Sequence, residues 1–368
     1  MKPLLSIVIP TKDRYDYLIP LLELVKSFDS DLIEIVVQDN SKDNSGFLVY
    51  LNSFNYPSIK YEYCAHQIPI SDNSDNAILN SSGEYVCFVG DDDGVTRHII
   101  DYTQWMKDNN VDVLGCPEIS YNWPDYAGPL SAAVIYKKFT GKVLYLNPIQ
   151  ELIEICKKGL INRGRLPMVY HGIAKRETLD KVYEKCGTFF PGQSPDIANG
   201  VSLAFMTNKY AYVDLPITIA GASKYHGGGQ DKQQYLDINK RPWMRQKASD
   251  LWDKRIPMFG VGSLVWAESA LNAIKIFDKS FVSDINFTRV VSFFMLYNSD
   301  LISSLPRDFI STRVKIDYVL LKILRPIYAV IRRIKWLLFP DMKTYLKKGI
   351  NNINEAAVFL YDISKKNE

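Results

Sequence analysis

The chain has 368 residues, 47% hydrophobic and 23% charged, which is enough for a large buried core in one or two domains. Its formal net charge of +3 is too small for bulk electrostatic binding of nucleic acid. Five scattered cysteines with no CxxC pair exclude zinc ligation by paired cysteines and fit reduced thiols.

The opening MKPLLSIVIPTKDR lacks the apolar length and small-residue cleavage site of a signal peptide. Its LLSIVI run (4–9) reads as a buried parallel strand ended by Pro10. Helical spacing follows over 15–28, with Pro20 expected in the first turn. A second strand over 32–37 ends in QDNSKDNS, which is turn chemistry. Residues 47–54 read as helix, 59–63 as strand, 72–82 as helix, 85–89 as strand and 98–108 as helix. This alternation predicts an α/β protein whose mainly parallel sheet carries helices on both faces. Ligands in such sheets bind at the carboxyl ends of the strands. PTKDR, QDNSKDNS and GDDDG all fall there, so they are expected along one edge. No GxGxxG follows the first strand, which disfavours a dinucleotide-binding Rossmann protein.

After about residue 115 the pattern loosens. Short strands are expected at AAVIY, KVLYL and YAYVDL, and helices at 148–158 and 176–186. Beyond 231 the chain reads as largely helical to its end.

The GDDDG cluster sets three like charges at the end of an apolar strand. One reading is a solvated acidic turn. The other is a divalent cation, since Mg²⁺ and Mn²⁺ take a few carboxylates together with substrate phosphates. Gly90 and Gly94 flank the cluster and would let the backbone approach a ligand closely.

The series SIVIPTKDR, EIVVQDNSKDNS and SDNSDNAILNSSGEYVCFVGDDD resembles the nucleotide-sugar-binding half of family 2 glycosyltransferases with the GT-A fold. The resemblance is clear over about 4–95 and weaker to about 230. It implies that Pro10, Thr11 and Asp13 hold the nucleoside, that Asp39 accepts a hydrogen bond from the base, and that Asn76 lies near the ribose and phosphates. Asp75 stands where the family often has Arg, so no phosphate contact is carried over to it. By the same resemblance Asp92 matches the usual metal ligand of the DxD motif, with Asp91 and Asp93 supporting metal or ribose contacts. Asp91 and Asp93 forming the DxD pair remains an alternative. The implied cofactor is Mn²⁺ or Mg²⁺.

An inverting transfer also needs a base for the acceptor hydroxyl. In TFFPGQSPDIANG the resemblance points to Asp196; the alternative is that Asp196 caps the helix that follows. His226, before three glycines, is a further candidate for the metal or diphosphate. His171 is expected to be structural, and Tyr121 and Trp123 either stack on a sugar or pack.

Residues 307–348 hold eleven Lys or Arg against three Asp, a net +8, interleaved with aromatic and aliphatic residues. Charges this frequent exclude a membrane-spanning helix. The pattern suits the surface of an anionic membrane or a helix packed with a solvated basic face. The resulting expectation is a metal-dependent inverting GT-A hexosyltransferase, with a catalytic domain over 1–230 and a helical region over 231–368. It would use a nucleotide-sugar donor, most simply a UDP-sugar, and a saccharide or lipid-linked acceptor. Its expected setting is surface polysaccharide synthesis (capsule, O-antigen or exopolysaccharide) in the cytoplasm, on the inner face of the membrane. A nucleotidyltransferase is the rival enzyme; a membrane-bound scaffold with a degenerate nucleotide pocket is the rival without catalysis.

Overall fold

The first apolar runs become neighbouring strands. β1 (Leu5–Thr11), β2 (Ile33–Asp39), β3 (Ile59–Tyr63) and β4 (Tyr85–Phe88) pair in parallel in the order β3-β2-β1-β4. Leu5 lies opposite Ile33 on one side and Tyr85 on the other. β1 and β2 are buried on both faces because both faces are covered. Ile7 and Ile9 join one core while Val8, between them, joins another. The structure, a computed structural model, describes residues 2–224, 238, 244, 248–339 and 343–365.

Between these strands run α1 (Tyr15–Lys26), α2 (Ser45–Ser53) and α3 (Ile70–Leu79). Pro20 lies inside α1, beyond the first turn expected for it. Next come β5 (Gly94–Val95), α4 (His98–Asp108), β6 (Val113–Gly115), β7 (Ser120–Asn122), β8 (Ala133–Lys137), β9 (Val143–Leu146) and α5 (Pro148–Lys157). They are followed by β10 (Gly172–Lys175), α6 (Arg176–Cys186), α7 (Pro195–Met206), β11 (Tyr210–Val213) and β12 (Thr218–Ala222). β10 pairs antiparallel with β4 and turns the parallel sheet into a mixed one of eight strands, β3-β2-β1-β4-β10-β6-β11-β9. β5, β6 and β7 have two or three residues each, too short to leave a periodic signal.

The helical region holds α8 (Gly262–Phe277), α9 (Phe287–Tyr297) and α10 (Thr312–Leu338). α5, α7, α8 and α9 share a core of their own. The Ser311 side chain caps α10, and an Arg289–Asp317 ion pair of 2.9 Å ties its first turns to α9. Farther along, its apolar residues face solvent: Ile316, Leu320, Ile323, Ile327, Ile334 and Leu337 are all exposed. Among the described residues no helix is long and apolar enough to cross a membrane.

The end of the chain is not simply a continuation of the helical region. β13 (Thr344–Lys348), a strand where helix was expected, pairs antiparallel with β8 in a second sheet, β13-β8-β7-β12-β5. α11 (Ile353–Lys365) then packs on α1 and β5, placing Ile353, Ala356 and Leu360 in the first core. Ile353 occupies the space beside Gly94, so Gly94 meets a helix and not a ligand.

Candidate active site

A cavity of about 490 Å³ opens at the carboxyl ends of the parallel strands. Pro10 and Thr11 end β1, Asn40 follows β2, Phe88 ends β4, and Gly90, Asp91 and Asp92 follow it along the cavity wall. Asp196 and Pro195, at the start of α7, line the same cavity with Tyr170 and Phe190. The three polar clusters therefore do share one edge, for the reason that parallel neighbours end together.

The three aspartates divide the work. Asp91 accepts a 2.7 Å hydrogen bond from the Thr11 hydroxyl and lies 3.2 Å from the Arg14 guanidinium. Asp92 lies 2.5 Å from the same Arg14 nitrogen and accepts from the Ser223 hydroxyl at 2.6 Å. Asp93 points inward, accepting from the Gly90 amide at 2.6 Å and the Gly221 amide at 2.8 Å, with His171 Nε2 at 3.4 Å. The Tyr170 hydroxyl bonds to it as well. Asp93 therefore holds the loop, and does not line the cavity. Gly221 is needed for this approach, since a Cβ there would fall 1.7 Å from the Asp92 carbonyl oxygen.

Burial raises the Asp91 carboxyl above its ordinary range, opposed by Arg14 and reinforced by Asp92. Burial and the neighbouring Asp92 do the same to Asp93. Burial and Arg163 push His171 down to about 3, so it faces Asp93 as a neutral ring.

An all-carboxylate set of this kind suits a hard divalent cation. Asp91 and Asp92 are the pair that would hold one, leaving its other positions to phosphate oxygens and water. Among the described residues no group of three or more His, Cys, Asp or Glu gathers as metal ligands, and Arg14 now neutralises the pair. His226 lies outside the described residues.

Three expected donor-site residues stand back from the cavity. Asp13 is exposed, with φ +56°, and ties two loops together: its amide donates to Ser41 Oγ and its Oδ1 accepts from the Lys42 amide. Asp39 is fully buried behind the wall. Its Oδ2 accepts from the Tyr15 and Tyr61 hydroxyls, each at 2.7 Å, and its Oδ1 from the Ser41 amide at 2.8 Å. With three donors already on it, Asp39 shapes the wall that its neighbour Asn40 lines. Asn76 is exposed on the outer face of α3; Asn73 and Ser74 line the cavity in its stead. Asn73 Oδ1 is buried without a hydrogen-bond partner.

Asp196 sits in the first turn of α7, half-buried, and accepts from the Ser194 hydroxyl at 2.5 Å. Burial raises its carboxyl, against the Ser194 hydroxyl and the Ile197 amide. A raised carboxylate is a stronger base. Tyr121 and Trp123 are packing residues: both are buried, and the Trp123 indole donates to the Asp92 carbonyl at 2.8 Å. The sequence reading missed Arg14, Asn40, Asn73, Ser74, Tyr170 and Ser223. Only Arg14 carried a signal, as one of two cations, with Lys12, in PTKDR at the edge that receives three aspartates.

The model of the family described as Glycosyl transferase family 2 matches residues 6–191. No curated protein matches the sequence. Among solved structures, S. aureus TarS 1–349 is 17% identical with a TM-score of 0.44, and 60% of each chain is covered. This chain therefore spans less than two thirds of that structure. TarS 1–349 in complex with UDP-GlcNAc is 14% identical over 84% of this chain and 83% of that one, with a TM-score of 0.47. The mannosyltransferase PcManGT from Pyrobaculum calidifontis, in complex with GDP-Man and Mn²⁺, is 16% identical over 62% and 59%, with a TM-score of 0.40.

Proposed function

We propose a donor, a base and a working location for this chain, which belongs to glycosyl transferase family 2 and has the GT-A fold with a helical C-terminal region. It transfers a hexosyl group, with inversion, from a UDP-sugar to a saccharide or lipid-linked acceptor in surface polysaccharide synthesis. One observation carries the reading: a single cavity of about 490 Å³ is lined by the carboxylates of Asp91 and Asp92 and by the carboxylate of Asp196.

The nucleoside lies against Pro10, Thr11, Asn40 and the α3 residues Asn73 and Ser74, with Asn73 Oδ1 free to accept from it. Asp13 and Asp39 brace that wall from behind. Asp196 takes the proton of the acceptor hydroxyl as its oxygen attacks the anomeric carbon. The bond from that carbon to the phosphate oxygen breaks, and the electron pair leaves with the diphosphate. Mn²⁺ or Mg²⁺ held by Asp92 with Asp91 would supply Lewis-acid neutralisation of that charge. Arg14, beside the same pair, adds a fixed positive charge at that end of the cavity. Asp93 keeps the pair in place through Gly90, Gly221 and Tyr170.

Calorimetric titration of UDP, GDP, CDP and dTDP, each with and without Mn²⁺, tests the donor assignment. UDP-selective, metal-dependent binding is expected. Selective binding of another nucleotide changes the donor; no nucleotide binding by folded protein ends the reading and favours a scaffold.

The exposed stripe of α10, flanked by Lys322, Arg325, Arg332 and Arg333, fits peripheral attachment to an anionic membrane surface. Deleting residues 307–368 would also remove α11 from the first core and β13 from its pairing with β8, so substitution is the cleaner test. Ile323→Glu with Ile327→Glu is expected to lose co-flotation with vesicles containing phosphatidylglycerol. Unchanged flotation would dismiss the attachment.

A further inference from the structure

The loop that carries Asp196 to the cavity is fastened at both ends by buried side chains from distant parts of the chain. At its start, Asp75 of α3 accepts from the Thr188 hydroxyl at 2.5 Å and from the Phe189 amide at 2.8 Å. At its end, Ser269 of α8 accepts from the Gln193 amide at 3.1 Å and the Ser194 amide at 2.9 Å, and donates to the Val265 carbonyl at 2.7 Å. Ser269 is fully buried, and its one proton and two lone pairs are all engaged. Gly192 touches the same place: a Cβ on it would come within 2.7 Å of the Ser269 Cβ and 3.0 Å of the Ala198 Cβ. α8 and the loop are thus in contact with no room between them.

We propose that Ser269 is a positioning residue for Asp196, so that the helical region forms part of the frame of the catalytic base. The path is short. Ser269 fixes the Ser194 amide, and the Ser194 hydroxyl donates to Asp196 Oδ1 at 2.5 Å. A hydroxyl in this place is not a generic helix feature. A buried helical serine ordinarily satisfies itself by donating to the carbonyl four residues back, and Ser269 does so while also receiving two amides from outside its helix. Alanine would keep the helix and remove the acceptor from both amides. The donor side is held by other partners: Asp91 by Thr11 and Arg14, and Asp92 by Arg14 and Ser223.

The inference rests on Asp196 acting as the base, and the experiment separates the two. Ser269→Ala, Gly192→Ala and Asp196→Asn are compared with the parent protein. Three readouts are taken: UDP affinity in Mn²⁺, UDP release from a panel of UDP-hexoses against pH, and hydrogen–deuterium exchange of residues 188–198 and 84–95. For Ser269→Ala, turnover is expected to fall roughly tenfold while UDP affinity stays within about twofold, the loss lying in kcat. Exchange should quicken in 188–198 and not in 84–95. The acid limb of the pH profile should move to higher pH, because the Ser194 hydroxyl that holds the Asp196 carboxyl down is loosened. Gly192→Ala, which presses on the same contact from the loop side, should reproduce the pattern and serves if Ser269→Ala does not fold. Parent-like turnover and exchange in both variants, beside an inactive Asp196→Asn, would overturn the positioning role alone. An active Asp196→Asn would remove the base and the inference with it. Equal losses of UDP affinity and turnover, with a lowered melting temperature, would also overturn it, showing general destabilisation.

Discussion

On one side of the cavity, Pro10, Thr11, Asp91 and Asp92 arrive together because β1 and β4 are parallel neighbours that end at one edge. On the other side, Asp196 arrives on a loop fastened to Asp75 and Ser269, far from it in sequence and on different helices. The first side is made by the regular sheet, so its residues follow strand ends. The second is made by a few buried acceptors that satisfy loop amides, so its geometry rests on individual side chains. A sheet edge tolerates the loss of one contact better than such a loop does.

The sharpest break between the two sides should come from the two carboxylates themselves. Asp196→Asn should lower turnover by roughly 10²–10⁴-fold while leaving UDP affinity in Mn²⁺ near that of the parent. Asp92→Asn should weaken metal-dependent UDP binding about tenfold or more, and calorimetry with and without Mn²⁺ reads it directly. If both variants lose binding and turnover equally, the division into donor and base sides is wrong. A smaller effect sharpens the donor wall. Asn73→Ala should weaken UDP binding by about 1 kcal/mol, whereas Asn76→Ala, on the outer face of α3, should leave it unchanged.

A control for stability lies on β2, at Glu34, which does not line the cavity. Burial alone would raise its carboxyl, but hydrogen bonds from Ser6, the Ser82 amide and Lys60 bring it below the ordinary range. A carboxyl lowered on folding contributes stability above its unfolded pKa and loses it as pH falls through the folded one. Glu34→Gln should therefore cost about 1–3 kcal/mol in urea unfolding at pH 7. The gap to the parent should shrink toward pH 3, with UDP affinity unaffected. A constant gap across that range would show that charge plays no part.

The strand ends were legible because an apolar run followed by polar turn residues is a local pattern. Pro10, Thr11, Asp91 and Asp92 lie at those strand ends and line the cavity. The pattern said less about rotation. Asp13 and Asp39 lie at the same edge but are turned to Ser41, Lys42, Tyr15 and Tyr61, which only packing decides. α3 begins at Ile70, earlier than its pattern suggested, and buries Ala77 and Ile78, which carries Asn76 outward. Asp75 became an anchor for the loop that precedes Asp196, a role visible only once residues 75 and 189 are in contact. α10 and α11 are both amphipathic, yet one is covered by the first core and the other is not. What separates them locally is charge: α10 carries seven Lys or Arg against one Asp, and α11 one Lys against Glu355 and Asp362.

The late return of the chain to its first core also sets a schedule for biosynthesis. Ile353 fills the space beside Gly94, and Ser364 Oγ lies 2.7 Å from the ring of His98. At about 5–20 residues per second, residue 353 leaves the ribosome on the order of ten to fifty seconds after residue 94. Throughout that interval the side of α1 and β5 destined for α11 has no cover. Once β12 has emerged, the nascent chain must therefore carry an almost complete double-sheet lobe with one open apolar seam until α11 follows, a natural place for a chaperone to wait.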